Sequence, residues 1–226
     1  MSKSRVSIVQ IFGDTLLKEQ RNVRVKRLVR TLNKIRRTQK QQIDILCNDI
    51  LKAHGEFINH LKNFRFAADF FENLLEATNL DRLARSAGEF LAENIDDCSV
   101  AVIFTTTTAP EIHFYSHSPQ LEDIPSQLSP GLTTKIVEAV CHSSRICTSD
   151  NLCEMEFFVG PAVLKKISLA AIGINNSGPA LGMILLYRPA DSPFSQTELV
   201  QVTSITKGLS KAVKALHGKT TCDNYA

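Results

Sequence analysis

Apolar side chains in the first third of the chain recur in steps of three and four: Val25, Leu28, Leu32, Ile35, Ile43, Leu46, Ile50, Phe57, Leu61 and Phe64. That period marks one face of a helix. The segment contains no proline, and its flanks are Lys, Arg, Gln and Asn, so the pattern predicts one long helix over 15–64, broken at most once. Gly55 is its weakest point, because glycine inside a helix costs roughly 1 kcal/mol against alanine. Fifty residues at ~1.5 Å each give a rod of about 75 Å, whose stripe a small domain cannot cover. A second copy of the helix is the expected cover. The pattern therefore predicts a homodimeric coiled coil with Leu28, Leu32, Ile35, Ile43, Leu46, Ile50, Phe57 and Leu61 in its interface, interrupted by Gln39 and Gln42.

The pattern then changes. Phe66, Phe70, Phe71, Leu74 and Leu75 predict a second helix over 66–78, stopped at Asn79-Leu80-Asp81, with Asp81 as the cap of a third helix over 82–95. Cys98–Thr105 is almost continuously apolar, as expected of a strand buried on both faces. Residues 111–116 alternate, placing Ile112 and Phe114 opposite His113 and Tyr115. Residues 117–130 read as loop, 131–142 as a short helix and 145–148 as a short strand. Ser149-Asp150 is expected to cap a small helix containing Met155, Phe157 and Phe158. Two apolar runs, Ile167–Ile174 and Leu181–Tyr187, flank a turn at 175–179 and predict a hairpin. A closing helix over about 195–216 carries Leu199, Val202, Ile205, Leu209 and Val213 on one face. The expected organisation is a basic helical arm over 1–64, a domain over 65–218 and a fraying tail over 219–226.

Composition adds one asymmetry. The 226 residues are 43% hydrophobic and 22% charged, a globular balance, and the net charge is only +3. Residues 1–40, however, hold twelve Lys/Arg against Asp14 and Glu19, a net +10, which leaves −7 for the remainder. A basic arm on an acidic body predicts two different tasks. No apolar run is long enough to span a bilayer, and no secretion signal is evident, so a cytoplasmic chain with reduced thiols is expected. None of the six cysteines, Cys47, Cys98, Cys141, Cys147, Cys153 and Cys222, stands in a Cys-x-x-Cys pair.

The order of elements, with Phe70-Phe-Glu-Asn-Leu-Leu75, Val100-Ala-Val-Ile103, Gly131-Leu132, Arg145 with Asp150, Ser168–Ile174, Gly182–Leu186 and Phe194-Ser-Gln-Thr-Glu-Leu199, resembles a GAF domain over residues 68–216. The resemblance implies an α+β fold: a central antiparallel sheet with helices from both ends on one face and a ligand cavity on the other, preceded by a long signalling-type helix. It implies dimerisation through terminal helices. It extends to bacterial proteins that pair a helical N-terminus with such a domain. Gly173 stands where many members have proline. The Asn-Lys…Phe-x-x-x-Asp-Glu signature of cyclic-nucleotide binders is absent, and only Phe194-x-x-x-Glu198 echoes its end.

Candidate ligand-binding residues are His113 and Tyr115 on one strand face, the Cys141-His142 pair, Asp150 and Phe157. For each there is a plainer role: an edge-strand surface, a buried thiol beside a surface imidazole, a helix cap, core filling. Cys141, Cys147 and Cys153 recur every six residues and offer soft ligands, but the spacing fits no standard metal set. No metal site and no particular cofactor are therefore expected, and a redox- or metal-sensing role for these thiols is a further alternative. His54 and His60 lack the context of a phosphoacceptor helix. The sequence carries no Gly-rich phosphate loop, G-x-S-x-G or H-E-x-x-H. The expectation is a non-enzymatic sensor or adaptor that passes its signal to an output protein. The alternative is a nucleic-acid-binding regulator that uses the basic arm.

Overall fold

A computed structural model describes residues 3–105, 109–116, 121–175 and 179–223, with side chains over 19–105, 109–116, 121–175 and 179–216. The chain divides into two compact units, Met1–His60 and Leu61–Ala226. The first unit is wholly helical over its described residues and belongs to α1 (Lys3–Leu74). Every side chain from 19 to 60 is exposed. The apolar stripe is no exception, with Leu28 and Leu32 each 63% exposed and Ile50 67%. Gly55 does not break the helix, and open space surrounds it.

In the second unit the expected stop between two helices near 64–66 is absent, and α1 continues to Leu74. No proline or glycine interrupts 56–74, and Phe66, Phe70 and Leu74 are drawn into a core. Next comes α2 (Leu80–Asn94). Its cap is Asn79 rather than Asp81: the Asn79 side chain accepts a hydrogen bond from the backbone N–H of Arg82 at 2.8 Å, and Asp81 falls in the first turn. The strands are β1 (Ser99–Thr105), β2 (Pro110–Tyr115), β3 (Cys147–Thr148), β4 (Ile167–Ile174) and β5 (Gly182–Pro189). Among the described residues they form a five-stranded antiparallel sheet in the order β2-β1-β5-β4-β3. The expected hairpin is β4–β5, with Ile167 opposite Pro189 and Ile174 opposite Gly182. Most of its turn, 176–178, lies outside the described residues.

Residues 121–131 are not all loop: Pro125 and Pro130 open α3 (Ile124–Leu128) and a 3-10 turn (Ser129–Gly131). Proline suits a first helical turn because its missing N–H would be unpaired there anyway. Pro161 likewise opens α6 (Pro161–Leu164). α4 (Thr134–Ser143) is capped by Thr133. α5 (Ser149–Glu154) is capped by Thr148 in a capping box with Asn151, not by Ser149-Asp150, and it ends before Met155, Phe157 and Phe158. Finally, α7 (Gln196–Asp223) runs through much of the predicted tail; residues 224–226 lie outside the described set.

Alternation along the strands splits the core in two. Val100, Val102, Phe104, Ile172, Ile174, Ile184 and Leu186 face α1's last turns, α2 and α7. Ala101, Ile103, Leu169, Met183, Leu185 and Tyr187 face α3, α4 and the segments around α5 and α6. That is why β1 reads as a continuous apolar run: both its faces are covered.

Candidate functional site

The six predicted ligand residues do not gather. Strand alternation sends Tyr115 to the α2 face, where its ring presses on Gly88; a Cβ at Gly88 would stand 1.9 Å from it. Cys141 and Phe157 are buried on the opposite face. His142 is exposed at the end of α4, its Nδ1 2.6 Å from the Glu138 carbonyl. Asp150 is exposed in the first turn of α5. Phe157 fills the face on which the resemblance placed a cavity, whereas Phe158 is 79% exposed.

The structure offers a different recess. A groove of about 570 Å³ lies where the end of α4, the far half of β4 and α7 converge. Its apolar walls include Val140, Ile146, Ile172 and Val200, and Arg145, Asn175, Thr203 and Ser204 supply polar atoms. Two local causes shape it. Among the described residues, β3 pairs only with Ala170 and Ala171, and no strand flanks Ile172, Gly173 and Ile174 on that side. Gly173 also lets α4 settle against β4, since a Cβ there would stand 2.8 Å from the Cα of Cys141. The Asn175 amide donates to the Cys141 carbonyl and pins the groove's floor. Thr203 and Ser204 donate to Leu199 and Gln201 of their own helix, which leaves their oxygens to accept from a guest.

Among the described residues, Cys141, Cys147 and Cys153 do not bring their sulfurs together in one cluster. Cys141 Sγ donates to the Gly182 carbonyl at 3.1 Å, and burial pushes its pKa up. Cys147 is buried beside Ser143 (3.2 Å), whereas Cys153 is exposed. Among the described residues, the one group of three His, Cys, Asp or Glu ligand atoms within 4.8 Å of one another is Asp81, Glu111 and His113, which includes no cysteine.

Sequence reasoning missed a buried ion pair at the end of β5. Arg188 is 4% exposed. Its Nη1 and Nη2 meet Glu198 Oε1 and Oε2 at 2.9 and 3.1 Å, and also donate to the carbonyls of Asp96 (3.2 Å) and Pro193 (2.7 Å). The guanidinium stacks 4.2 Å from the Phe194 ring centroid. Glu198 also accepts from the Ser195 N–H at 2.7 Å, while Ser195 Oγ accepts from the Glu198 N–H. Ser195-x-x-Glu198 is a capping box visible in the sequence; its charged partner ten residues upstream was not singled out. Burial raises the carboxyl's pKa, but the Arg188 and Ser195 bonds outweigh this and hold it below its ordinary value.

This architecture is a GAF-like fold. No family model matches the chain, and no curated protein matches it. Solved structures do. The GAF domain of a phosphoenolpyruvate-protein phosphotransferase from Coxiella burnetii superposes with a TM-score of 0.54 at 10% identity, over 71% of this chain and 98% of that one. The corresponding domain from Acinetobacter gives 0.50 at 14% identity, over 69% and 94%. The chromophore-binding domain of a Stigmatella aurantiaca bacteriophytochrome gives 0.50 at 10% identity, over 69% and 60%. At such identities the likeness establishes the fold alone. Among the described residues, no helix is long and apolar enough to cross a membrane.

Proposed function

We infer that the chain is a non-catalytic sensory or regulatory module that pairs with a second copy of itself through α1. The observation that carries this reading is the exposed stripe: Leu28, Leu32, Ile35, Ile43, Leu46, Ile50, Phe57 and Leu61 are between 48% and 67% exposed. Fully burying one such side chain contributes roughly 1.5–3 kcal/mol, and helical spacing suits a helical partner. The GAF-like unit, over about 65–218, supplies the receiving domain. The groove beside Gly173 takes a small, mostly apolar ligand with an acceptor or anionic end toward Arg145. Binding there biases the packing of α7 and α4 on the sheet, and the change passes to an output protein through the helices.

Light scattering on the full chain tests the pairing. A dimer is expected, and Leu32→Glu with Ile50→Glu should give a monomer with an unchanged folded second unit. A monomeric wild-type chain at tens of micromolar refutes the reading. Native mass spectrometry reports any retained small molecule at the same time.

A second reading rests on the basic arm, where Arg21, Arg24, Arg27, Arg30, Arg36 and Arg37 are all exposed. It makes the arm a nucleic-acid contact. Duplex affinity that falls steeply with salt and vanishes on deleting residues 1–40 would favour it; salt-independent or absent binding discards it.

A further inference from the structure

β2 carries Glu111 and His113 two residues apart, so the pleat puts both side chains on one face of the strand. The first turn of α2 brings Asp81 to the same place. His113 Nε2 lies 3.6 Å from Glu111 Oε1 and 3.8 Å from Asp81 Oδ1. Both gaps exceed hydrogen-bond length. The nitrogen is nevertheless sealed from solvent and has no hydrogen-bond partner. A buried imidazole nitrogen facing two carboxylate oxygens just out of reach is poorly satisfied by protein alone.

A cation at the centre satisfies all three groups. Ligand bonds of about 2.0–2.1 Å at tetrahedral angles place donor atoms roughly 3.4 Å apart, within a few tenths of an ångström of the two separations from His113, and all three donor atoms lie within 4.8 Å of one another. We propose that Asp81, Glu111 and His113 bind a divalent transition-metal ion of the zinc type, with water completing its coordination. Two carboxylates balance the double charge. The imidazole favours zinc or its neighbours over magnesium and calcium, which select all-oxygen shells. The Asp81 and Glu111 side chains are 69% and 40% exposed, which provides an entry path and room for the water. Arg85 stands one turn further along α2 and acts electrostatically on Tyr115 together with Glu89 and Asp81. No ion pair shorter than 4 Å between Arg85 and Asp81 occurs among the described residues. The bound ion ties the start of α2 to the sheet's β2 edge, a site separate from the groove.

The test uses the full chain stripped by a chelator. Titration with Co²⁺, followed by visible absorption, is expected to show one equivalent bound with ligand-field bands and no thiolate charge-transfer band. Calorimetry with Zn²⁺ should give the same stoichiometry. His113→Ala should weaken binding by roughly 100-fold or more, since loss of a mere supporting contact already costs 10–100-fold. Asp81→Asn and Glu111→Gln should each weaken it at least about tenfold. Asp81 is exposed, so that variant keeps its fold, checked by circular dichroism. A control with Cys47 and Cys153 replaced by Ser and His54 and His60 by Ala should bind as wild type does. Any of three results overturns the proposal: no binding, a thiolate charge-transfer band, or binding unchanged in both His113→Ala and Asp81→Asn.

Discussion

Removing Glu198 leaves a guanidinium stranded inside the fold, and the structure sets the size of the penalty. Arg188's side chain is 5% exposed and Glu198's 23%. Deleting one partner of a buried ion pair costs about 3–5 kcal/mol. Here Arg188 keeps two carbonyl acceptors and the Phe194 ring, which places the loss at the low end. Its Nε already has no partner, so there is no spare acceptor to recruit. Glu198→Ala should therefore lower stability by about 3 kcal/mol, and Glu198→Gln by about 2 kcal/mol, since an amide oxygen retains one bond. Urea unfolding followed by circular dichroism, at one fixed protein concentration, measures both. Arg188→Met alone should be milder, because a hydrophobic replacement removes the buried charge along with its bonds. The double variant should fall short of the sum by at least about 1.5 kcal/mol. The pair also leaves a pH signature. Because the folded-state pKa of Glu198 is depressed, its contribution is present above the unfolded carboxylate value near about 4.3 and is lost as pH falls through the lower folded value. The gap between wild type and Glu198→Gln should therefore be full at pH 6 and shrink below about pH 4. A loss under about 1 kcal/mol, or one unchanged by acid, would mean the pair behaves like an exposed bridge, and the reasoning fails.

Gly88→Ala should destabilise the fold by roughly 1–3 kcal/mol through overpacking, despite alanine's better helix propensity, because the new methyl meets the Tyr115 ring. Adding Tyr115→Ala should recover part of that in a thermal melt; no recovery places the strain elsewhere. Under a thiol reagent at pH 8, Cys47 and Cys153 should react quickly, while Cys98, Cys141 and Cys147 wait for unfolding. Burial pushes the Cys98 thiol up to about 12 and raises that of Cys141. Peptide mapping by mass spectrometry distinguishes them, and rapid native labelling of Cys141 contradicts the packing described. Gly182→Ala should cost roughly 2–3 kcal/mol in urea unfolding, since its Cβ would stand 2.1 Å from the Ile103 carbonyl oxygen on the paired strand.

Elements governed by local pattern were legible in the sequence. The apolar runs of β1, β4 and β5 and the stripes of α2 and α7 place themselves, because period alone reports which faces are covered. Short elements opened by proline were not: Pro125 and Pro130 read as loop and Pro161 was assigned no element, although the same rigidity that ends a helix also starts one. Whether α1 stops near Phe64 or runs on is left open by the pattern, since residues 65–74 carry neither a breaker nor a cap. The candidate site was mostly illegible. Cys141 and Gly173 meet through packing across 32 residues, and Asp81 reaches His113 only because α2 lies beside an edge strand. Arg188 and Glu198 pair across a turn, and nothing periodic announces such a pairing.

Phe66, Phe70 and Leu74, near the C-terminal end of the opening helix, belong to the second unit's interior. A fragment trimmed from the front will stay soluble only if the cut falls upstream of Phe66. One begun at Leu80, the start of α2, would open a wall of the core and bring a greasy gap into contact with water. Fragments for crystallisation or for interaction screens should accordingly begin no later than Leu61.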